Sequence, residues 1–258
     1  MMADLVQEEG HLSNPLTIDE RLYVGRLIGH DLDSCSMDIA HYLLALKRVN
    51  STEEKDELCK KIGALNFHVQ QTHKAFHFLQ VLDTYFLQES SIGSYNLMFD
   101  YISRLLQKDN CSIDVTLDDN EGVTEDRPLL SFQPLVYSMV YNLVKNAVRE
   151  NDKENGHVNI DISQSNGGKL KNCVYSHNGS DSATLCDFIF SVHDDGPGFS
   201  DKVPIEQYFD KGFTTDHSGS GFGLYYATLI AKALRGHITV ESELGNTTIS
   251  FFHPDYIF

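Results

Sequence analysis

The sequence has no tryptophan, only six prolines, and five cysteines among its 258 residues. The cysteines are odd in number and widely spaced, and no pair forms C-x-x-C, which argues against a disulfide framework or a cysteine-based zinc site. No apolar run approaches the roughly 20 residues of a membrane-spanning helix, and the acidic start does not resemble a signal peptide. We therefore expect a cytoplasmic protein without membrane insertion.

Basic residues are also scarce, with 20 Lys and Arg against 37 Asp and Glu, for a formal net charge of -17. Binding to nucleic acid phosphates needs clustered Lys and Arg, so this balance argues against a nucleic acid partner. An apolar content of 41% is typical of a globular chain. The length suits one large domain or two modest ones.

The first third of the chain is patterned as two long helices. Apolar residues from Ile28 to Val49, and again from Leu58 to Phe86, recur at alternating steps of four and three. Ser51 or Thr52 is placed to cap the second helix. The pattern predicts an antiparallel helical hairpin. Pairing of two copies into a four-helix bundle would bury both apolar stripes and predicts a homodimer. Packing of the hairpin on its own second domain is the alternative.

Beyond residue 90 the texture changes to a mixture of strands and helices. Strands are predicted at 113–117, 157–163 and 185–192, helices at 134–151 and 222–234, and a hairpin within 237–252. Residues 164–182 are predicted to be a loop or a long hairpin tip, and Gly236 the helix stop. We predict a helical domain at 1–90 and an α/β domain at 91–258.

Three segments carry the candidate chemistry. In the first, Asn142, Asn146 and Arg149 share one face of a helix whose opposite face is apolar. Amides and a guanidinium suit a metal oxygen shell and phosphates, although an ordinary amphipathic helix would look the same.

The second segment runs from His193 to Phe199 and contains D-x-G-x-G. Its glycines let backbone approach a flat ligand while Asp194 accepts a hydrogen bond from an exocyclic amine, and a plain acidic turn is the alternative. The third segment, Gly219 to Leu224, places three glycines before a helix, where backbone N–H groups favour an anion. It is neither a dinucleotide fingerprint nor a P-loop.

In this order the three segments resemble the N, G1 and G2 boxes of the ATPase superfamily shared by gyrase, Hsp90-type chaperones and sensor histidine kinases. Residues 208–215, Tyr-Phe-Asp-Lys-Gly-Phe-Thr-Thr, resemble the F box of histidine kinases. Asparagine rather than glutamate at position 142 favours the kinase branch. The resemblance implies an α/β-sandwich GHKL (Bergerat-type) domain that binds ATP and Mg²⁺.

The resemblance also implies individual roles. Asn146 is expected to hold Mg²⁺, with support from Asn142, while Lys145 and Arg149 offset triphosphate charge. Asp194 is expected to read the adenine amine, with Gly196 and Gly198 shaping the pocket. The remaining residues expected to bind the nucleotide are Lys211, Gly219, Gly221, Gly223 and Leu224, and residues 199–218 are expected to form a mobile lid.

The hairpin is then expected to carry the phosphoacceptor. Gly29-His30-Asp31-Leu32 resembles the H box, in which a histidine precedes an acidic residue. His30 would be phosphorylated, and Asp31 would accept the imidazole proton. The segment that follows lacks the basic residue and the proline usual in that box. An inert surface histidine is the alternative reading of His30.

The resemblance therefore implies a histidine kinase that autophosphorylates on His30 and passes the phosphoryl group to an aspartate of a response-regulator receiver domain. Only about 20 residues precede the first predicted helix, too few for a sensor domain, so we expect sensing to come from a separate sensor protein or to be absent. Two alternatives stay open: a phosphotransferase or scaffold of the same fold without catalysis, and a superfamily ATPase or serine kinase acting on protein partners.

Overall fold

The computed structural model describes residues 16–81, 95–106, 111–117, 133–151, 156–176, 182–183, 188–215, 221 and 223–253. These residues contain five α-helices: α1 (Ile18–Leu46), α2 (Thr52–Val81), α3 (Tyr95–Leu106), α4 (Gln133–Glu150) and α5 (Gly223–Ala233). None of the helices in these ranges has the length and hydropathy needed to cross a membrane.

Eight strands accompany the helices: β1 (Cys111–Leu117), β2 (Gly156–Gln164), β3 (Gly168–Lys169), β4 (Cys173–Ser176), β5 (Ser182–Ala183), β6 (Phe188–Asp194), β7 (His237–Glu243) and β8 (Asn246–His253). Six of them form a mixed sheet in the order β1-β2-β6-β8-β7-β4, in which only β1 and β2 are parallel. Strands β3 and β5 form a separate two-stranded pair.

One face of the sheet is apolar because alternate residues of four adjacent strands point the same way. Cross-strand pairing aligns them in two rows, Ile160–Val192–Ile249–Val240 and Ile162–Phe190–Phe251–Ile238. All eight side chains are buried. Helices α4 and α5 cover this face, so the C-terminal part of the protein is a two-layer α/β domain, as predicted.

Helices α1 and α2 follow each other across residues 47–51 and pack together. They also pack on the α/β domain: Val24 and Ile28 of α1 are buried in the same core as α4. On α2, Nδ1 of the buried His68 lies 2.8 Å from the hydroxyl of Tyr137 on α4. Packing of the helices on their own second domain is thus observed, and the homodimer remains a prediction.

Two local predictions differ from the structure. Residues 164–182 were expected to be loop or hairpin tip, but β4 within them joins the main sheet next to β7. All four residues of β4 are half-buried and carry a register shift, so the segment lacks the clean alternation that marks a strand. Helix α5 ends with Arg235, not Gly236, in the left-handed conformation, at φ 54°. Gly236 still helps to close the helix, because its N–H donates to the carbonyl oxygen of Ala231 at 2.9 Å. It also serves close packing, since a Cβ there would lie 2.4 Å from the carbonyl oxygen of Phe252.

An ion pair fixes the start of α1 to α5. The carboxylate of Glu20 accepts two hydrogen bonds of 2.9 Å from Nζ of Lys232, and it also closes a capping box with Thr17. Burial alone would raise the pKa of Glu20, but the bonds from Lys232 and Thr17 outweigh it and lower the pKa below its ordinary 4.5. A carboxyl with a lowered pKa stabilises the fold above that value and loses this contribution as the pH falls through it.

We predict that Glu20→Gln, which keeps the cap, lowers the free energy of unfolding at pH 7 by about 1–2 kcal/mol, because one charge-assisted contact is lost. Chemical denaturation of parent and variant measures the difference, which is expected to shrink as the pH falls below 4.5. The matched control is Glu57→Gln, whose exposed pair with Lys60 spans 4.0 Å, where we expect less than about 0.5 kcal/mol. Equal losses in the two variants would contradict the prediction.

Candidate functional site

A cavity of about 750 Å³ lies between α1 and α2 on one side and the α/β domain on the other. This volume is within the usual range for small-molecule sites. Nine of the residues proposed from the sequence line it: Asn142, Lys145, Asn146, Arg149, Asp194, Gly198, Gly221, Gly223 and Leu224. The structure therefore brings residues from the three motif segments around one space.

The two faces of α4 separate as the spacing predicted. Val140, Val144 and their apolar neighbours are buried, while Asn142 and Asn146 border the cavity. Nδ2 of Asn142 donates to the carbonyl oxygen of Ser138 at 2.7 Å, which orients the amide. Asn146 lies against the first residue of α5, since a Cβ on Gly223 would be 2.9 Å from its Nδ2. Glycine at this position thus lets the amide of α4 reach the start of α5.

Asp194 ends β6 and begins a tight turn at the cavity wall. Its Oδ1 accepts a hydrogen bond from the backbone N–H of Gly196 at 2.9 Å. A Cβ at Gly196 would lie 2.6 Å from that same oxygen, so a side chain there would displace the carboxylate. The next residue, Asp195, turns away from the cavity and accepts hydrogen bonds from the N–H of His157 and the amide of Asn151. Asp194 therefore borders the cavity, while Asp195 holds the turn through its hydrogen bonds.

The turn after β6 is tied to the β7–β8 connection. The N–H of Gly245 donates to the carbonyl of Gly196 at 2.9 Å, and the N–H of Phe199 donates to Oγ of Ser242 at 2.9 Å. Gly198 has φ 75°, and a Cβ on it would lie 2.9 Å from the carbonyl oxygen of Glu243. Only glycine satisfies both conditions at position 198.

The segment after this turn covers the cavity with aromatic side chains. Tyr208 packs edge-on against Phe199, with ring centroids 4.7 Å apart, and against Phe213 at 5.1 Å. The N–H of Gly212 donates to the carbonyl of Gly221 at 3.1 Å. Gly221 has φ 68°, and a Cβ on it would meet the Gly212 carbonyl carbon at 2.5 Å. The described part of the proposed lid therefore has an internal apolar cluster, and Gly212 within it contacts Gly221 beyond the lid.

The cations near the cavity have different partners. Arg149 donates to Glu150 through Nε at 3.0 Å and Nη2 at 2.7 Å. Nζ of Lys145 is 5.7 Å from the centroid of the Tyr141 ring. Lys211 does not line the cavity but lies over the ring of Tyr23 on α1, at 4.4 Å from the centroid. The predicted nucleotide contact of Lys211 is not part of this arrangement and stays a prediction.

Three of the proposed residues fall partly or wholly outside what the structure describes. His30 and Asp31 belong to the described backbone of α1, but their side chains lie outside the described part. Gly219 lies outside the described residues altogether. Gly196 is described and supports Asp194 without lining the cavity itself.

Five residues of the two long helices line the cavity without having been proposed from the sequence: Tyr23, Arg26, Ile28, His68 and Thr72. They sit more than sixty residues before the first motif, on helices whose apolar spacing predicts packing but names no partner. Nothing in a local pattern indicates which helix face a distant domain will cover, so no sequence feature could have identified them.

Residues 131–257 match the family described as "Histidine kinase-, DNA gyrase B-, and HSP90-like ATPase". No curated protein matches the chain in sequence. Among solved structures, the histidine kinase domain of the Erythrobacter litoralis EL346 blue-light activated histidine kinase is 14% identical, covering 92% of this chain and 94% of its own, with a TM-score of 0.46.

The catalytic domain of the histidine kinase ThkA is 20% identical, covering 65% of this chain and 96% of its own, with a TM-score of 0.45. Full-length ShkA in complex with AMPPNP is 17% identical, covering 91% of this chain and 46% of its own, with a TM-score of 0.49. Identities and scores this low carry no inference about function. The family match, which is limited to residues 131–257, is the finding that bears on function.

We predict that Gly223→Ala weakens ATP binding on the order of tenfold, because the new Cβ displaces the Asn146 amide. The fold should tolerate the change, since the displaced atoms are the end of a movable side chain. Titration calorimetry and a thermal melt measure the two effects. The control is Gly63→Ala within α2, where a Cβ meets nothing within 4 Å. It should stabilise the protein by about 0.5–1 kcal/mol and leave ATP affinity alone. Unchanged affinity in Gly223→Ala would refute the placement of Asn146.

Proposed function

We propose that the chain is an ATP-dependent protein histidine kinase, because residues 131–257, just under half of it, match the model of the histidine kinase-, DNA gyrase B- and HSP90-like ATPase family. The observation that carries the proposal is the single cavity that joins Asn142 and Asn146 of α4, Asp194 of β6 and Gly223 of α5. Five widely spaced cysteines without C-x-x-C support a reducing cytoplasm as the setting of such an enzyme.

The adenine is proposed to bind at the sheet end of the cavity. Val192, Ile249 and Thr247 line it there beside Asp194. Apolar side chains suit the faces of a flat base, and the Asp194 carboxylate, oriented by the N–H of Gly196, accepts a hydrogen bond from the exocyclic amine. The same contact rejects a base that presents a carbonyl oxygen at that position, because two acceptors would face each other.

The phosphates are proposed to bind where α4 meets the start of α5. Asn146 contributes an amide oxygen, which is a ligand type that Mg²⁺ accepts. Among the described residues no group of three His, Cys, Asp or Glu is placed to hold a metal ion, so phosphate oxygens would supply much of its shell. The N–H donors of the side-chain amides where α4 meets α5 would bind these phosphate oxygens. Bound Mg²⁺ would neutralise triphosphate charge, and N–H groups at the start of α5 would bind phosphate oxygens.

The proposed reaction transfers the γ-phosphoryl group to His30. The ring nitrogen of His30 forms the N–P bond as the bond from phosphorus to the β,γ-bridging oxygen breaks, and ADP leaves with that electron pair. The imidazole proton passes to Asp31. An aspartate carboxylate of a receiver domain then attacks the same phosphorus. The N–P bond breaks, its electron pair returns to the His30 ring nitrogen, and the imidazole takes back one proton. Positioning and charge neutralisation dominate such transfers.

A homodimer is proposed alongside this activity. Among the described side chains of α1, five large apolar ones are exposed, although α1 also packs on α2 and on the α/β domain: Ile18, Leu22, Met37, Leu43 and Leu44. Helical periodicity places them within one side of α1. A second copy would cover this stripe, and sedimentation of only monomer at micromolar concentration would exclude it.

The second candidate is a phosphotransferase or scaffold that keeps the shape without catalysis, favoured by the absence of a basic residue and a proline after His30. A superfamily ATPase or serine kinase is the third. These candidates differ in what γ-labelled ATP would label. The scaffold would carry no label, and the serine kinase would carry label on a residue other than histidine.

We predict that the parent chain incorporates label from γ-labelled ATP with Mg²⁺ and that His30→Gln incorporates less than about a hundredth as much, because the attacking nitrogen is missing. The label should be labile to acid and stable to alkali. His41→Gln, an exposed position on the same helix, is the matched control and should label like the parent.

Equal labelling of His30→Gln and parent would refute the acceptor. Label stable to acid would indicate a hydroxyl ester and favour the serine kinase. Nucleotide binding without any labelling, tested with and without a receiver domain, would favour the scaffold.

A further inference from the structure

Among the described residues, three Lys or Arg side chains line the cavity, and they differ in how far their charge is already compensated. Arg149 is neutralised by two hydrogen bonds to Glu150. Lys145 lies against the Tyr141 ring. Arg26, from α1, has an exposed side chain and no carboxylate within ion-pair distance in the part of the chain that the structure describes. A nucleoside triphosphate entering the cavity would therefore meet an uncompensated guanidinium from outside the α/β domain.

Contacts of the preceding turn locate Arg26 at the phosphate end. Tyr23 packs edge-on against Tyr225, in the first turn of α5, with ring centroids 5.3 Å apart. It also lies under Lys211 of the lid segment. Arg26 follows Tyr23 by three residues, one helical turn or about 4.5 Å along the axis, and it lines the cavity. The Arg26 guanidinium thus belongs to the same end of the cavity as Asn146 and the start of α5.

Residues other than Arg26 hold helix α1 in place. The ion pair of Glu20 with Lys232 holds α1 upstream. Val24 and Ile28, on either side of Arg26, are 0% and 4% exposed. Replacing the guanidinium should therefore leave α1 docked, which makes a clean test possible.

We propose that Arg26 completes the triphosphate subsite from α1, its guanidinium contacting the terminal phosphate of a bound nucleoside triphosphate. This proposal rests on the proposed function and deepens it, since it makes the nucleotide site a product of both halves of the chain. A guanidinium binds phosphate oxygens in a fork, with more hydrogen bonds than an ammonium group offers. Because the terminal phosphate is absent from ADP, Arg26 distinguishes ATP from ADP. By linkage, ATP favours the docked position of α1 more than ADP does.

The test compares Arg26→Gln with the parent in the full chain, by titration calorimetry with Mg²⁺ and either AMPPNP or ADP. We expect the dissociation constant for AMPPNP to rise about tenfold and that for ADP to change less than about twofold. Arg26→Lys should recover part of the loss. Arg48→Gln, an exposed arginine just beyond the end of α1 and outside the cavity, is the matched control and should bind both nucleotides like the parent.

A purely structural role would weaken AMPPNP and ADP alike or lower the melting temperature, and either result would overturn the proposal. Unchanged AMPPNP affinity in Arg26→Gln would overturn it as well while leaving the proposed function standing. A parent chain that binds neither nucleotide would overturn the proposed function itself, and this inference with it.

Discussion

The close approach of α4 and α5 is the constraint on which the site depends. Gly223 lets the start of α5 come against the Asn146 amide, and a single methyl group there would not fit without displacing that amide. Both helices must also rest on the apolar face of the sheet, whose rows end near Asp194. The contact at Gly223 therefore brings the polar segments of α4 and α5, in the helical layer, close to the carboxylate of Asp194 at the end of the sheet. The cavity forms between the two layers.

The helical half is part of the same arrangement. Helix α1 is held by the Glu20–Lys232 ion pair and by buried Val24 and Ile28, and it closes one wall of the cavity. On the proposed function, such a wall would make nucleotide binding and the docking of α1 mutually dependent. It also addresses a difficulty of charge. On the proposed function, a chain with a net charge of -17 binds a polyanion, and the cations that the cavity offers for this are few and individually placed.

The sequence predicted what depends on local spacing and missed what depends on distant contacts. The 3.6-residue period separated Asn142 and Asn146 from the buried face of α4, and the order of the motifs indicated the ATPase family. The pairing of β4 with β7 and the cavity wall from α1 arise from packing between segments far apart in the chain. The sequence did not indicate the left-handed conformation of Arg235, because the adjacent Gly236 offered the expected helix stop. Packing against β8 also requires a glycine at position 236.

Binding of ATP to the full chain with and without divalent metal tests the central claim most directly. If amides and helix N–H groups supply the protein's side of the phosphate site, Mg²⁺ must supply much of the compensating charge. Titration calorimetry should show ATP binding in Mg²⁺ that is weakened at least about tenfold by chelation with EDTA. No binding in Mg²⁺, or equal binding in EDTA, would contradict the account.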